Sequence, residues 1–348
     1  MEKINGISRI IMEYLESDKQ LQFPQFLTMI SLDNDEATEL KIAKEFLFHS
    51  HSDLDKRLAL EYFYINRCHP ELIYFIEHNN HSSNELNREA AKLYQFMLDL
   101  RNGKPTHKIR VISKSISPPN HPELKCLKYF LNMEIDVNVY HYDRIGYYIN
   151  KVQNKLRQID NPLYINFFKQ RMQLIMFTYY WKRNELILAR KHAYEALQMP
   201  HHVKQKAQLH LDLALSYIYE DFESSFYHIE EALYLAKCLQ DHDTLDKISN
   251  YTYPFICANF GRIDGVTTND PIEAAHLEIV KGNHQQAKEM LEKLSISTPF
   301  AQYYLGLATK NHHYFIHSYQ QFMEIRNDHF LRNYLLELQK ACIYRKIW

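Results

Sequence analysis

The stretch DPIEAAHLEIVKGNHQQAKEMLEKL (270–294), followed by STPFAQYYLGLATKNHHYFIHSYQQFMEIRND (297–328), decides the reading of this 348-residue chain. Ala287, Leu291 and Leu294 stand at helical spacings of four and three, and Ser318, Phe322 and Ile325 repeat the pattern 31 residues later. Paired helices at a fixed interval mark an α-solenoid, in which each unit buries its apolar stripe only against its neighbour. The pattern predicts an all-α fold, a right-handed α-solenoid of tetratricopeptide-like helix hairpins, and such a stack offers a groove suited to peptides.

Toward the N-terminus the repeat persists. Ala189, Ala193 and Ala196, followed by Pro200, suit the second helix of a hairpin, where small residues admit a close neighbour. Ser225, Ile229 and Ala232 return in the same phase 36 residues on, and 62 more lead to Ala287. The unit between is irregular. It holds NYTYPFICANFGRIDGVTTNDP (250–271), whose Pro254, Gly261 and Gly265 are expected to break any long helix and leave a degenerate repeat followed by a loop.

Composition agrees. The chain has 7 Gly and 11 Pro, where average usage gives roughly 24 Gly, so phosphate loops and parallel α/β turns are disfavoured. The 26 Tyr and 19 Phe suit large side chains filling the space between stacked helices. The net charge is −1, with Lys and Arg scattered among acids, which argues against a nucleic-acid tract. Five widely spaced cysteines without a CxxC pair fit neither a disulfide framework nor a zinc site, and they fit a reducing cytoplasm. No apolar run approaches a membrane span, and the N-terminus has no signal-peptide core.

In the first half, residues 1–22 read as one short amphipathic helix carrying Ile7, Ile10, Ile11, Tyr14 and Leu15, and Phe23, Phe26, Leu27 and Ile30 suggest a second. Asp33 and Asn34 are placed to cap EATELKIAKEFLFH, Asp53 starts the next helix, Pro70 the next, and Ser82 or Ser83 the one after. Residues 104–123 predict a short helix and a proline-rich loop. The expected organisation is 1–22, then a helical N-terminal half (23–160), then a tetratricopeptide-like half (161–348).

The strings NDHFLRNYLLELQK (327–340), PIEAAHLEIVKGN with AKEMLEKL, NPLYINFFKQRMQLIM with ARKHAYEAL, and FPQFLTMISLD with LKIAKEFLFH resemble the arbitrium peptide receptors (AimR) of Bacillus phages. That resemblance implies a regulator in the cytoplasm of the bacterial host that senses a short peptide and biases lysis against lysogeny. Family members carry an N-terminal helix-turn-helix domain, whereas only about 20 residues precede the matching part, so DNA binding by that route is not expected and a protein partner is. The resemblance implies a peptide groove bearing Lys204, Ser216, Glu273 and Asp328. Lys204 stands where the family has an arginine, and Thr178 and Leu215 stand near family asparagines. The closing stretch FLRNYLLELQKACIYRKIW (330–348) reads as an amphipathic helix with an apolar end that either caps the solenoid or meets a second copy, and a homodimer formed through it is expected.

Other readings of these residues stay open. Glu273 also suits the first turn of a helix after Asp270 and Pro271, and Asp328 suits an N-cap. The adjacent pairs His49 and His51, His201 and His202, His312 and His313 read as surface residues rather than metal ligands, since no HExxH occurs. The aromatic runs 61–67 and 167–181 read as core rather than as base-stacking platforms. No catalytic motif or cofactor site is recognised, and Glu230–Glu231 reads as ordinary surface charge. A ligand-independent protein-interaction module is the alternative function, with DNA binding behind it.

Overall fold

The computed structural model describes residues 21–115, 120–294, 298–325 and 330. It is built from helices, with no strand among the described residues. Two compact units emerge: one takes the residues up to Ile175 together with Glu195–Gln205, and the other takes Met176–Tyr194 together with Lys206 onward. The helix expected before residue 22 and the one expected at the C-terminus lie outside the described residues.

The first unit contains α1 (Phe23–Ser31), α2 (Glu36–His49), α3 (Asp53–Ile65), α4 (His69–Asn80), α5 (Glu85–Arg101), α6 (Thr106–Ser115), α7 (Pro122–Asn138), a 3-10 turn (Tyr142–Arg144), α8 (Ile145–Leu156) and the start of α9 (Pro162–Lys182). Helix α3 is its centre, with every residue from Arg57 to Ile65 buried. A helix buried all round needs partners on every face. On one side Phe23, Phe26 and Phe46 supply rings, the last two stacked at 4.0 Å between centroids, and Tyr62 meets Phe23 edge-on. The 61–67 and 167–181 aromatic runs are core: Tyr62, Phe63, Tyr64, Phe167 and Phe168 are all buried.

Two helix caps differ from expectation by one or two residues. Asp35, rather than Asp33 or Asn34, caps α2 by accepting from Thr38 N at 2.8 Å. Asn84, rather than Ser82 or Ser83, caps α5, whereas α3 starts at Asp53 as expected, with Ser52 as its cap. In each case the short oxygen-bearing side chain nearest the orphan N–H groups takes them, and the residue upstream stays in the turn.

The polar interior of this unit was not expected from sequence. Glu61 is fully buried and takes Arg171 Nη1 at 3.1 Å together with the Tyr94 hydroxyl. Arg171 reaches on to Glu134 at 2.7 Å and lies over the Phe130 ring, while Arg57 holds Asn87 at 2.9 Å and Glu123 at 3.4 Å. Burial pushes the Glu61 carboxyl up against the pull of Arg171. Burial likewise opposes the Arg171 charge, but Glu61 and Glu134 hold its affinity for the proton above the ordinary value.

In the second unit, which takes most of α10 (Leu186–Leu197) and of α11 (Val203–Tyr217), the hairpins follow one another through α12 (Phe222–Leu239), α13 (His242–Lys247), a π-turn (Ile248–Thr252), α14 (Tyr253–Asn259), α15 (Pro271–Val280), α16 (His284–Glu292), α17 (Pro299–Thr309) and α18 (His312–Glu324). The small residues of the repeat sit where the pattern placed them. Ala189, Ala193, Ala196, Ser225, Ala232, Ala287 and Ser318 are all at 0% exposure. The two serines play one role at two places. Ser225 on α12 donates to Ala214 O at 2.9 Å, and Ser318 on α18 donates to Pro299 O, each tying a second helix to the first. Gly306 lets α17 and α18 touch, since a Cβ there would stand 2.7 Å from the Phe315 ring.

Pro254 does not break its helix. The run 242–259 is continuous because the Tyr253 N–H reaches back five residues to Ile248 O, a π-turn that gives a proline room. Pro254 has no N–H for the carbonyl of Asn250, and the Thr268 hydroxyl takes that carbonyl at 2.7 Å. The irregular unit is therefore one helix with a π-turn, and the loop after it is pinned back. Its Ile263 and Val266 pack with Cys257, Ala258 and Leu277.

Removing the cation from the buried network should expose its value. Arg171→Ala is expected to cost about 3–5 kcal/mol in urea denaturation, because Glu61 is left buried without its partner. Glu134→Gln, at the half-exposed end, is expected to cost about 1 kcal/mol or less. Equal losses in the two variants would contradict this ranking.

Candidate functional site

Of the four residues expected to form a groove, Lys204 lies in the first unit and Ser216 and Glu273 in the second, while Asp328 lies outside the described residues. Lys204 is half-buried, and its charge reaches Cys68 and Glu71. Although burial acts to raise the Glu71 carboxyl, the hydrogen bond from Lys44 at 2.5 Å, with Lys204 adding to it, holds it below the usual range.

Glu273 is set by the start of α15. Asp270 caps that helix through Ile272 N and Glu273 N, at 3.0 and 2.9 Å. This fixes Glu273 in the first turn and turns its carboxylate inward, 8% exposed. There it meets the Tyr304 hydroxyl of α17 and His276 Nδ1, each at 3.4 Å. The His276 ring stacks on Tyr304 at 4.1 Å. Burial pushes the Glu273 carboxyl up, with His276 opposing. Contacts of 3.4 Å are long for a carboxylate, whose strong hydrogen bonds run near 2.7–2.9 Å, so this acid keeps acceptor capacity for a shorter donor. The helix-start reading therefore holds at this residue, whose carboxylate is also buried.

Ser216 is fully buried and committed. Its hydroxyl donates to Leu213 O at 2.8 Å and accepts from Arg190 Nε at 3.2 Å. Arg190 also reaches Glu220 at 2.7 Å and lies 3.6 Å from the centre of the Tyr217 ring. Beside it runs a chain that the sequence reading missed. The Tyr194 hydroxyl is 3.0 Å from His228 Nε2, and His228 Nδ1 is 2.9 Å from His210 Nδ1, so one imidazole donates to the other. Burial lowers both to about 4, helped by His228 and Lys206 at His210 and by Arg190 at His228. Neither histidine belongs to an adjacent pair, so sequence spacing carried no signal for them.

The expectation that paired histidines are surface residues fails at one pair. His202 is fully buried with Nδ1 3.1 Å from Pro200 O, and His201 pairs with Glu39 at 2.8 Å. The left-handed backbone at His201 (φ 68°) turns the chain inward there. Among the described residues no group of three or more His, Cys, Asp or Glu side chains is placed to hold a metal ion, and no helix is long and apolar enough to cross a membrane. A surface hollow of about 470 Å³ in the first unit is lined by Asp53, Lys56, Tyr74, Glu77, His78 and neighbours.

Stacked helix hairpins with small residues at the contacts, and polar side chains gathered between them, define an α-helical repeat protein of tetratricopeptide-like type. The sequence pattern of the AimR transcriptional regulator-like family matches residues 36–340, and the chain belongs to that family. A solved structure of phAimR with a ligand shares the fold with a TM-score of 0.74 at 17% identity, over 94% of this chain and 99% of that one. A selenomethionine phAimR structure gives 0.71 at 18%, over 98% and 94%. An uncharacterised protein of Bacillus anthracis is 31% identical over 106 residues, 28% of this chain, and the chain spans only 39% of that relative's length.

The histidine chain predicts a pH response. Unfolded imidazoles titrate near 6.5 and the folded ones near 4, so between these values the unfolded chain binds more protons. Stability is therefore complete above about pH 6.5 and falls as pH drops toward 4, by on the order of 2–4 kcal/mol for the pair. Thermal melts from pH 7 to 5 should show a steeper loss in the native protein than in His210→Gln and His228→Gln. Parallel curves would rule the pair out as the source.

Proposed function

We propose that this protein is an intracellular receptor for a short linear communication peptide and that peptide capture changes its affinity for a partner, biasing a phage lysis–lysogeny choice or a related mobile-element decision. The observation that carries the reading is membership of a regulator family over residues 36–340. The likeness of fold to a ligand-bound phAimR supports it, as does the buried Glu273 carboxylate with its long contacts. In this reading Glu273 and Asp328 accept the cationic groups of the peptide, Lys204 meets a carboxylate, and Ser216 acts through Arg190. A ligand that binds one arrangement of the hairpins better than another shifts the population toward it, and that shift is what a partner or a second copy of the chain reads.

The family's description as transcriptional regulator-like favours DNA binding as the second reading. An electrophoretic shift at low salt, repeated at higher salt, separates a phosphate-driven contact from none.

Calorimetry with the peptide encoded beside the gene is expected to give micromolar or tighter binding. Glu273→Gln and Lys204→Ala should each weaken it by ten-fold or more, about 1.4 kcal/mol. No heat with peptide far above micromolar removes the receptor reading and leaves a ligand-independent interaction module. Light scattering with and without peptide reports the expected homodimer.

A further inference from the structure

The open hollow of about 470 Å³ in the first unit falls within the size range of small-ligand pockets, roughly 300–1,000 Å³. It lies where the start of α3, the second half of α4 and the turn before α5 meet. Asp53 and Lys56 come from the first, Tyr74, Glu77 and His78 from the second, and residues 81–83 from the third. The backbone of all three is pinned. The buried Asn79 amide donates to Lys56 O at 3.0 Å and to Phe75 O at 2.7 Å, and the buried Asn87 amide donates to Asp53 O at 2.9 Å. Arg88 Nη1 donates to Ser82 O and Ser83 O, each at 2.7 Å. Walls fixed before a ligand arrives lower the ordering cost of binding.

One wall is aromatic. The Tyr74 and His78 rings lie nearly parallel, 15° between planes and 6.1 Å between centroids. Tyr74 is 48% exposed, yet it is braced by Phe48 at 4.9 Å and by Phe75 at 5.3 Å. An exposed ring held in place by its neighbours is a surface on which another ring can stack. Burial and the Lys56 charge hold the His78 imidazole below its ordinary value, so this wall is uncharged near pH 7.

The hollow also carries both signs of charge. Among the described residues the Lys56 ammonium and the Glu77 carboxylate have no hydrogen bond or ion pair, either with each other or with a third group. Elsewhere in this unit such ends close on a partner, as Lys44 does on Glu71 at 2.5 Å and Arg110 on Asp136 at 2.7 Å. Asp53 adds a second carboxylate, whose Oδ2 takes Asn84 Nδ2 at 3.2 Å.

We propose that this hollow binds a small zwitterion carrying an aromatic ring, of amino-acid to dipeptide size, with its carboxylate on Lys56, its ammonium on Glu77 and its ring on Tyr74. A purely cationic ligand would meet Lys56 and a purely anionic one Glu77 and Asp53, so a ligand with both charges is selected over either. Tyr74 selects the ring, because an aliphatic ligand forfeits the stacking. The site is independent of the receptor reading: Ser216 and Glu273 lie in the other unit, and each idea can fail without the other.

Calorimetry of the full chain with L-phenylalanine and with L-phenylalanylglycine tests the assignment and separates the two sizes. At least one of them is expected to bind saturably with a Kd at or below about 1 mM. N-acetylphenylalaninamide keeps the ring and lacks both charges, and L-alanine keeps the charges and lacks the ring. Each should bind about ten-fold more weakly or worse. Lys56→Met and Glu77→Gln, at solvent-accessible side chains, are each expected to weaken the better ligand by about ten-fold. The full chain carrying 3-fluorotyrosine at position 74 should shift its fluorine resonance as that ligand saturates, which locates the ring without any variant. Three results overturn the proposal: no saturable binding of either compound far above 1 mM, equal affinity in the native and both substituted chains, or an unmoved resonance at position 74 while the ligand binds.

Discussion

Close approach of paired helices is the constraint on which the second unit depends. A tetratricopeptide-type hairpin has too little apolar surface to fold alone, so its two helices must lie near enough to share one core and still offer a face to the next pair. Only side chains the size of Ala or Ser, or no side chain at all, fit at the crossing. Ala189, Ala193, Ala232 and Ala287 fill those places, and Gly306 clears the space for Phe315. At Ser225 and Ser318 the hydroxyl also replaces a lost water by donating to a carbonyl of the facing chain. Larger residues there would push the helices apart and open every interface downstream.

The first unit answers the burial problem differently. Its central helix is surrounded, and part of that surrounding is charged: Glu61, Arg171 and Glu134 with Tyr94 form one polar group, and Arg57 and Glu123 with Asn87 form another. Such groups gain little net stability over apolar ones, but they tolerate few alternative pairings. Aromatic rings fill the second unit and fix it by shape. Charge fixes the first by partner.

What could be read from sequence follows from what has a period. The helices, the small residues at the crossings and the aromatic runs obey a local spacing, and they stand where the spacing put them. Capping shifted by a residue or two at Asp35 and Asn84, because several short polar residues competed for the same N–H groups and only geometry chooses among them. His202 looked like surface because it stands in an adjacent pair with no metal-binding motif, yet one left-handed residue at His201 turns it inward. The His210–His228 pair and the rings gathered around Phe330 join residues 18 to about 150 positions apart, and no local pattern encodes such meetings. Of the candidate site, Glu273 was legible through Asp270 and Pro271 before it. Arg190, which Ser216 serves, was not.

The π-turn at Ile248–Thr252 carries a consequence for the whole C-terminal part of the chain. It houses one residue more than an α-helix of the same rise, and a single extra residue rotates everything beyond it by about 100°. The face that α14 shows to α15 is thus dialled by that one insertion, which brings Cys257 and Ala258 against Leu277. Deleting one residue there would leave composition and helicity almost untouched and still present the wrong side chains to the next hairpin. Angular bookkeeping of this kind, more than any single contact, keeps the later repeats in phase with the earlier ones.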